Sequence, residues 1–353
     1  MDSLLSLASF EHRASHRRQD EFMSVDTSQK PRSEGFSNVT RLIRRFGGGS
    51  SLLLGILLLV VVVELITTPA FGKWANISNI LMQNSIIGIV ACGMFLIILL
   101  GGFDLSVGAV GAITSTFAAS LIVNVNMPVG IIVALGIGLL VGALNGFFVS
   151  VLGMSPFVVT LGTQSVVLGV LFVVTQAKPV YGVPEGITGF GLGRFMGIPI
   201  VTIVFAVVVI LVWALLRYAR FGHYIYAVGG NQEAARLAGI NTTAITVGTY
   251  AAGGLLAAVA GILLLTQTGI GQPAAATSWP LSAIAAVVVG GVPLAGGSGK
   301  VSSVVLGTLL LGVISNVLNL NGVSSYWQPA VTGAVILVAV GIDSYQRKRK
   351  ALR

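Results

Sequence analysis

Between Phe46 and Ile342 the chain carries four acidic residues, Glu64, Asp104, Glu185 and Glu233, in a stretch that is otherwise almost continuously apolar. Only 9% of its 353 residues are charged, against roughly 25% in a soluble domain. So little charge cannot cover a soluble fold of this size, and the body of the chain belongs in a bilayer. Backbone groups in lipid must be satisfied within the structure, which leaves helices or a closed barrel. The apolar runs do not alternate, and that selects helices. The expected fold class is an all-α polytopic membrane protein.

Ten apolar runs are expected to span, near 51–68, 79–100, 105–123, 128–151, 157–176, 198–216, 244–266, 281–293, 301–320 and 327–342. A span takes about 20 residues, with a range near 17–25. The eighth run falls short of that, so it is either a broken helix or wrongly bounded. With ten spans and an amino terminus inside, 17 of the 20 Lys and Arg residues fall on the cytoplasmic side. Lys73, Lys178 and Arg194 are the exceptions. Residues 1–45 are polar with no apolar core pattern and are expected to form a flexible cytoplasmic tail. The transmembrane domain covers 46–345, and 346–353 form a basic cytoplasmic tail. The formal charge of +9 comes from these tails and from loops, so nucleic acid is not needed to explain it. Membrane lipid is an expected partner of the apolar body.

The main polar interruption lies in the loop 217–243. Within Gly229-Gly230-Asn231-Gln232-Glu233-Ala234-Ala235-Arg236-Leu237-Ala238-Gly239-Ile240, Asn231 is suited to cap a helix, Glu233 to its first turn and Arg236 to its last. Gly239 supplies a stop. A helix of about seven residues is well below the roughly 12–15 needed for marginal stability alone in water. Something must hold it: its own bundle or, given Arg217, Arg220 and His223 just before it, a cytoplasmic partner.

Few residues inside the spans could carry chemistry. Asp104 precedes Leu105-Ser106-Val107, where it could cap the third helix, line a pathway or do both. Glu64 is expected to face the surface. Asn84, Ser85, Thr114, Ser115, Asn145, Thr160, Thr163, Gln164, Ser165 and Asn316 are uncharged polar residues within runs. They suit a polyhydroxy solute, or else hydrogen bonds between helices. Gly296-Gly297-Ser298-Gly299-Lys300 lacks both the first glycine of a phosphate loop, at Leu294, and the hydroxyl after the lysine, at Val301. Gly189 to Gly193 follows no strand, so it is not a dinucleotide loop. No nucleophile sits with a base at a recognisable spacing, and the lone Cys92 excludes an internal disulfide. Neither catalysis nor a bound cofactor or metal is expected.

Two loops share a Gly-Gly-x-x-Leu-small-x-Gly pattern, at Gly101–Gly108 and Gly290–Gly297. Internal repeats are common in transporters, although a pattern of eight residues in a chain with 46 glycines also arises by chance.

Five stretches together resemble the permease subunits of bacterial ABC importers of the ribose/monosaccharide type. They are Gly101-Gly102-Phe103-Asp104-Leu105-Ser106-Val107-Gly108; Pro156-Phe157-Val158-Val159-Thr160-Leu161-Gly162-Thr163; Tyr226-Ala227-Val228-Gly229-Gly230-Asn231 with Ala234 to Ile240; Ile284-Ala285-Ala286-Val287-Val288-Val289-Gly290-Gly291; and Gly322-Val323-Ser324-Ser325-Tyr326-Trp327-Gln328. They run in the family's order through nearly the whole body. The resemblance implies a bundle of about ten helices like the vitamin-B12 importer (type II) and a homodimer in the bacterial inner membrane. It also implies a separate ABC ATPase carrying the ATP and Mg below, and a solute-binding protein above. A gate or pathway would comprise Phe103, Asp104, Leu105, Ser106, Asn145 and Thr160. ATPase coupling would fall to Gly229, Gly230, Asn231, Glu233, Ala235, Arg236 and Gly239. Where many relatives carry Glu-Leu-Asp, this chain has Pro280-Leu281-Ser282, and Phe103 replaces a smaller aliphatic residue. An ion-coupled secondary transporter is the alternative, with Asp104 as its one candidate group.

Overall fold

The computed structural model describes residues 49–351 and is almost wholly helical across them. The expected tail 1–45 lies outside the described residues. In chain order the helices are α1 (Gly49–Thr67), α2 (Trp74–Leu99), α3 (Val107–Asn124), α4 (Met127–Ser150), α5 (Pro156–Thr175) and the short α6 (Glu185–Leu192). A two-stranded hairpin follows, β1 (Arg194–Phe195) and β2 (Ile198–Pro199), its Met196-Gly197 turn at positive φ as a tight hairpin requires. Then come α7 (Ile200–Tyr218), α8 (Arg220–Gly230), α9 (Gln232–Leu237), α10 (Thr242–Thr268), α11 (Trp279–Val289), α12 (Val301–Leu320) and α13 (Gln328–Ala351).

Among the described residues seven helices are long and apolar enough to cross a membrane, α2, α3, α4, α5, α7, α10 and α12. Three shorter apolar stretches, Leu57–Thr67, Trp279–Val289 and Gln328–Val338, coincide with the first, eighth and tenth runs. The eighth run is thus a half-length helix, displaced from 281–293 to 279–289. Its missing half is irregular chain laid along α3. Gly271 lies against Thr116 and Ala119, Ala276 against Gly108, and the Trp279 ring against Gly111. Within this irregular stretch Gly271 and Pro273 are buried, whereas Gln272, Ala274, Thr277 and Ser278 are exposed. Within the expected loop 217–243, residues 220–230 also form a helix, because Gly222, Ile225 and Val228 recur on one face and bury it against the bundle.

Two helices organise the core. From Ser85 to Leu99 α2 is buried on all sides except at Ile87, the state of a helix that is apolar all round. Helix α10 brings glycines against three neighbours: Gly253 meets Gly93 of α2, Gly254 meets Gly138 and Gly142 of α4, and Gly261 meets Gly111 of α3. Lipid tails are as apolar as leucine, so helices associate in a bilayer by close van der Waals contact, and small residues permit it. Glu64 does not face the surface as expected. It is buried, and its carboxylate accepts a hydrogen bond from Thr68 Oγ1 at 3.0 Å.

Candidate functional site: a buried polar relay and a projecting short helix

Helix α2 ends at Leu99 in a glycine turn. Gly101 takes φ +81°, its N–H donates to Ile98 O, and the Gly102 N–H donates to Ile97 O, the paired bonds of a left-handed helix stop. The chain then turns inward through Phe103, Asp104 and Leu105 to Ser106, which directly precedes α3. Asp104 is fully buried. Of the roles open to it, capping α3 falls away, because Ser106 occupies the cap position; instead Asp104 Oδ1 accepts from both Ser106 N (2.8 Å) and Ser106 Oγ (2.6 Å).

Three further helices close around this turn. Asn145 Nδ2 of α4 donates to Ser106 Oγ at 2.9 Å, and Asn145 Oδ1 accepts from Thr163 Oγ1 of α5 at 2.6 Å. From α10, Tyr250 Oη donates to Phe103 O at 3.2 Å. The result is a directed chain, Thr163 to Asn145 to Ser106 to Asp104, linking α5, α4 and the start of α3. Asn145 stands a turn or more before the end of α4 and Thr163 about two turns into α5, so the relay lies roughly 8–10 Å in from the helix ends. The Asn145 amide also lies beside the Asp104 carboxylate, while its hydrogen bond goes to Ser106 Oγ. Asp104 Oδ2 is buried without a hydrogen-bond partner among the described residues. The relay is thus satisfied at every position but its last, where one acceptor is left open.

Of the expected pathway residues, the structure joins Asp104, Ser106 and Asn145. Phe103 contributes its carbonyl and packs its ring on the core, while Leu105 is half-buried. Thr160 is buried but donates to Pro156 O within its own helix, so it stands outside the relay. Thr163, one turn further along α5, takes its place. Thr163 was legible as a polar residue in a run; Tyr250, an aromatic among apolar neighbours, gave no signal. Most other in-span polar side chains bond to their own helix backbone, as Thr114 and Ser165 do. Asn316 instead pairs reciprocally with Asn76, and Ser85 receives or gives a bond at 3.1 Å with Thr202.

The second feature is α9. Asn231, in extended backbone, ends α8 and caps α9 by accepting from Ala234 N at 2.9 Å. Gly239 at φ +83° stops it, with Gly239 N donating to Arg236 O and Ile240 N to Ala235 O. Ala235 alone of its six residues is buried, and Leu237 is 81% exposed. Glu233 and Arg236 line a groove of about 540 Å³ with Ser150, Gln232 and residues 240–243. Gly229 abuts the Leu99 carbonyl, whereas a side chain at Gly230 would meet open space. The basic residues flanking this region lie at one end of the bundle with Lys300, whose neighbour Gly299 bonds Tyr226 of α8.

Comparison with known proteins bears on what such a bundle does. The description "Branched-chain amino acid transport system / permease component" matches residues 76–340. The ribose import permease protein RbsC of Escherichia coli (strain K12) is 42% identical over 282 residues, covering 78% of this chain and 88% of the relative. RbsC of Bacillus subtilis (strain 168) is 42% identical over 289 residues, covering 81% and 89%. The D-allose transport system permease protein AlsC of Escherichia coli (strain K12) is 34% identical over 270 residues, covering 76% and 83%. No solved structure matches the chain significantly.

Proposed function

The chain belongs to the family of branched-chain amino acid transport system permease components, and from that premise we propose that it is the membrane-spanning subunit of an ABC importer carrying a monosaccharide inward. It is a transport subunit rather than an enzyme. The sugar class rests on relatives named for ribose and D-allose, and the uncharged polar side chains within the spans suit a polyhydroxy solute. Selection among sugars falls largely to an extracytoplasmic binding protein. ATP and Mg act on a separate ATPase subunit.

The observation that carries this reading is α9: six residues, capped and stopped at both ends, with five of them facing outward. A helix that short does not persist in water by itself. Its capped ends and Ala235 hold it to the bundle, and the rest of its surface is available to a partner. In this account α9 enters the ATPase, and the Asp104 relay sits at the gate, where Oδ2 is open to a donor when the path rearranges. The end bearing Arg217, Arg220, Arg236 and Lys300 is cytoplasmic, together with both termini. A second copy packs on α5, whose Phe157, Val158, Leu161, Val166 and Val170 are all exposed in the single chain.

Co-expression with its ATPase and purification in mild detergent tests this assignment. A stoichiometric complex of two permeases with two ATPase subunits is expected. A permease that purifies alone, with α9 open to added protease from the outer side in intact cells, contradicts it.

A further inference from the structure

The two loops that share the Gly-Gly-x-x-Leu-small-x-Gly pattern fold alike at their start. Gly291 (φ +87°) repeats the role of Gly101, with Gly291 N donating to Val288 O and Val292 N to Val287 O at the end of α11. They then diverge. The first turns into Asp104 and α3, while the second continues as non-helical chain to Lys300, through three glycines at 296, 297 and 299.

That glycine segment fills the space between the end of α2 and the end of α8. On one side the Gly297 N–H donates to Leu99 O at 2.8 Å, satisfying one of the carbonyls a helix end leaves without an internal partner. A Cβ at Gly296 would stand 2.6 Å from Gly101 N, so the two turns touch backbone to backbone. On the other side a Cβ at Gly297 would stand 2.8 Å from the Gly230 Cα, and Gly229 itself abuts Leu99 O. Two residues on, Tyr226 Oη donates to Gly299 O at 2.8 Å across 73 residues of chain. Gly299 packs in turn against the Phe95 and Leu99 side chains. Gly230 immediately precedes Asn231, the cap of α9, and Leu99 immediately precedes the turn that carries Asp104.

We infer that residues 296–299 are a strap that hands displacement of α8 and α9 to the Gly101–Ser106 turn, with Tyr226 and Gly297 as its positioning residues. No side chain intervenes at Gly297, so there is no rotamer freedom to absorb a movement. Gly296 and Gly297, at φ +79° and +71°, occupy backbone conformations that other residues adopt only under strain. The two hydrogen bonds at Leu99 and Tyr226 fix the strap at both edges. The inference rests on the proposed function, since it concerns how a stroke delivered at α9 reaches the Asp104 turn.

The test uses the full complex of permease, ATPase and binding protein in sealed vesicles, with ATP hydrolysis and sugar uptake measured together. Tyr226→Phe keeps the ring and its packing and removes one hydrogen bond. Gly297→Ala forces a methyl into the Gly230 contact. Each is expected to hydrolyse ATP within about twofold of wild type while sugar moved per ATP falls about fivefold or more, the scale of one net hydrogen bond. An unchanged ratio of sugar to ATP in Tyr226→Phe overturns the strap, whatever the folding of Gly297→Ala. Equal loss of hydrolysis and uptake also overturns it, since that places the defect at docking. Wild-type uptake without the ATPase overturns the proposed function, and the strap's role with it.

Discussion

Asn145 and Ser106, 39 positions apart, meet side chain to side chain at 2.9 Å with both residues fully buried. This bond fixes the start of α3 against α4, and Thr163 extends the link to α5. Replacing Asn145 by Ala removes both inter-helix bonds and leaves Ser106 and Thr163 short of a partner. Such bonds contribute roughly 0.6 kcal/mol on average and up to about 1.7 in a membrane protein. The expected loss is therefore about 1–3 kcal/mol, read as a lowered unfolding midpoint in detergent. Thr160→Ala, whose hydroxyl bonds only its own helix, is expected to change the midpoint by less than about 0.5 kcal/mol.

Asp104→Asn separates a structural carboxylate from a functional one. The amide oxygen retains an acceptor for Ser106, and a buried carboxyl group with no cationic partner among the described residues is replaced by a neutral amide. If Asp104 only held the turn, the variant would unfold no earlier and transport normally. A gate role predicts the same or a higher unfolding midpoint with uptake reduced about tenfold or more, equivalent to about 1.4 kcal/mol. Uptake at the wild-type rate removes Asp104 from the pathway.

The glycine contacts of α10 carry a packing prediction. A methyl at Gly254 would overlap the Gly138 carbonyl, whereas one at Gly136 meets nothing. Gly254→Ala is expected to cost about 1–3 kcal/mol through overpacking. Gly136→Ala should be neutral or stabilise by up to about 1 kcal/mol, because alanine favours helix. Comparing the two unfolding midpoints checks it, and equal effects would mean that α4 and α10 do not approach this closely.

Asn231→Ala and Leu237→Ser probe the short helix. Losing the cap destabilises α9 by about 1 kcal/mol, and Leu237 is too exposed to matter for folding. Both variants should insert and unfold as wild type does while binding the ATPase more weakly in detergent, by about fivefold for the cap. Undiminished ATPase binding in both would place the docking surface elsewhere.

Much of this architecture follows from local rules that one sequence displays. The apolar helical runs, the cap at Asn231 and the stop at Gly239 need only hydrophobicity, a side-chain acceptor and a residue tolerant of positive φ. What escaped depends on neighbours far along the chain. Thr160 and Thr163 are equivalent by composition, and only the rotation of α5 against α4 decides which reaches Asn145. Helix α8 carries three glycines and resembles a loop until the burial of Ile225 and Val228 is known. Glu64 in an apolar run resembled a surface residue because Thr68, a turn away, is needed to satisfy it within the bundle. The half-length α11 was visible as a short run, but the irregular chain that completes it along α3 was not, since its support comes from Gly108, Thr116 and Ala119.

This bundle is expected to move solute only when a nucleotide-hydrolysing partner acts through α9. The decisive measurement is uptake of a panel of radiolabelled monosaccharides into sealed vesicles, comparing permease alone, permease with ATPase and binding protein, and the same complex without ATP. Accumulation should occur only in the complete, ATP-supplied vesicles and be abolished when ATP is withheld. Accumulation by the permease alone, driven by an imposed proton or sodium gradient, would contradict the account and identify an ion-coupled transporter instead.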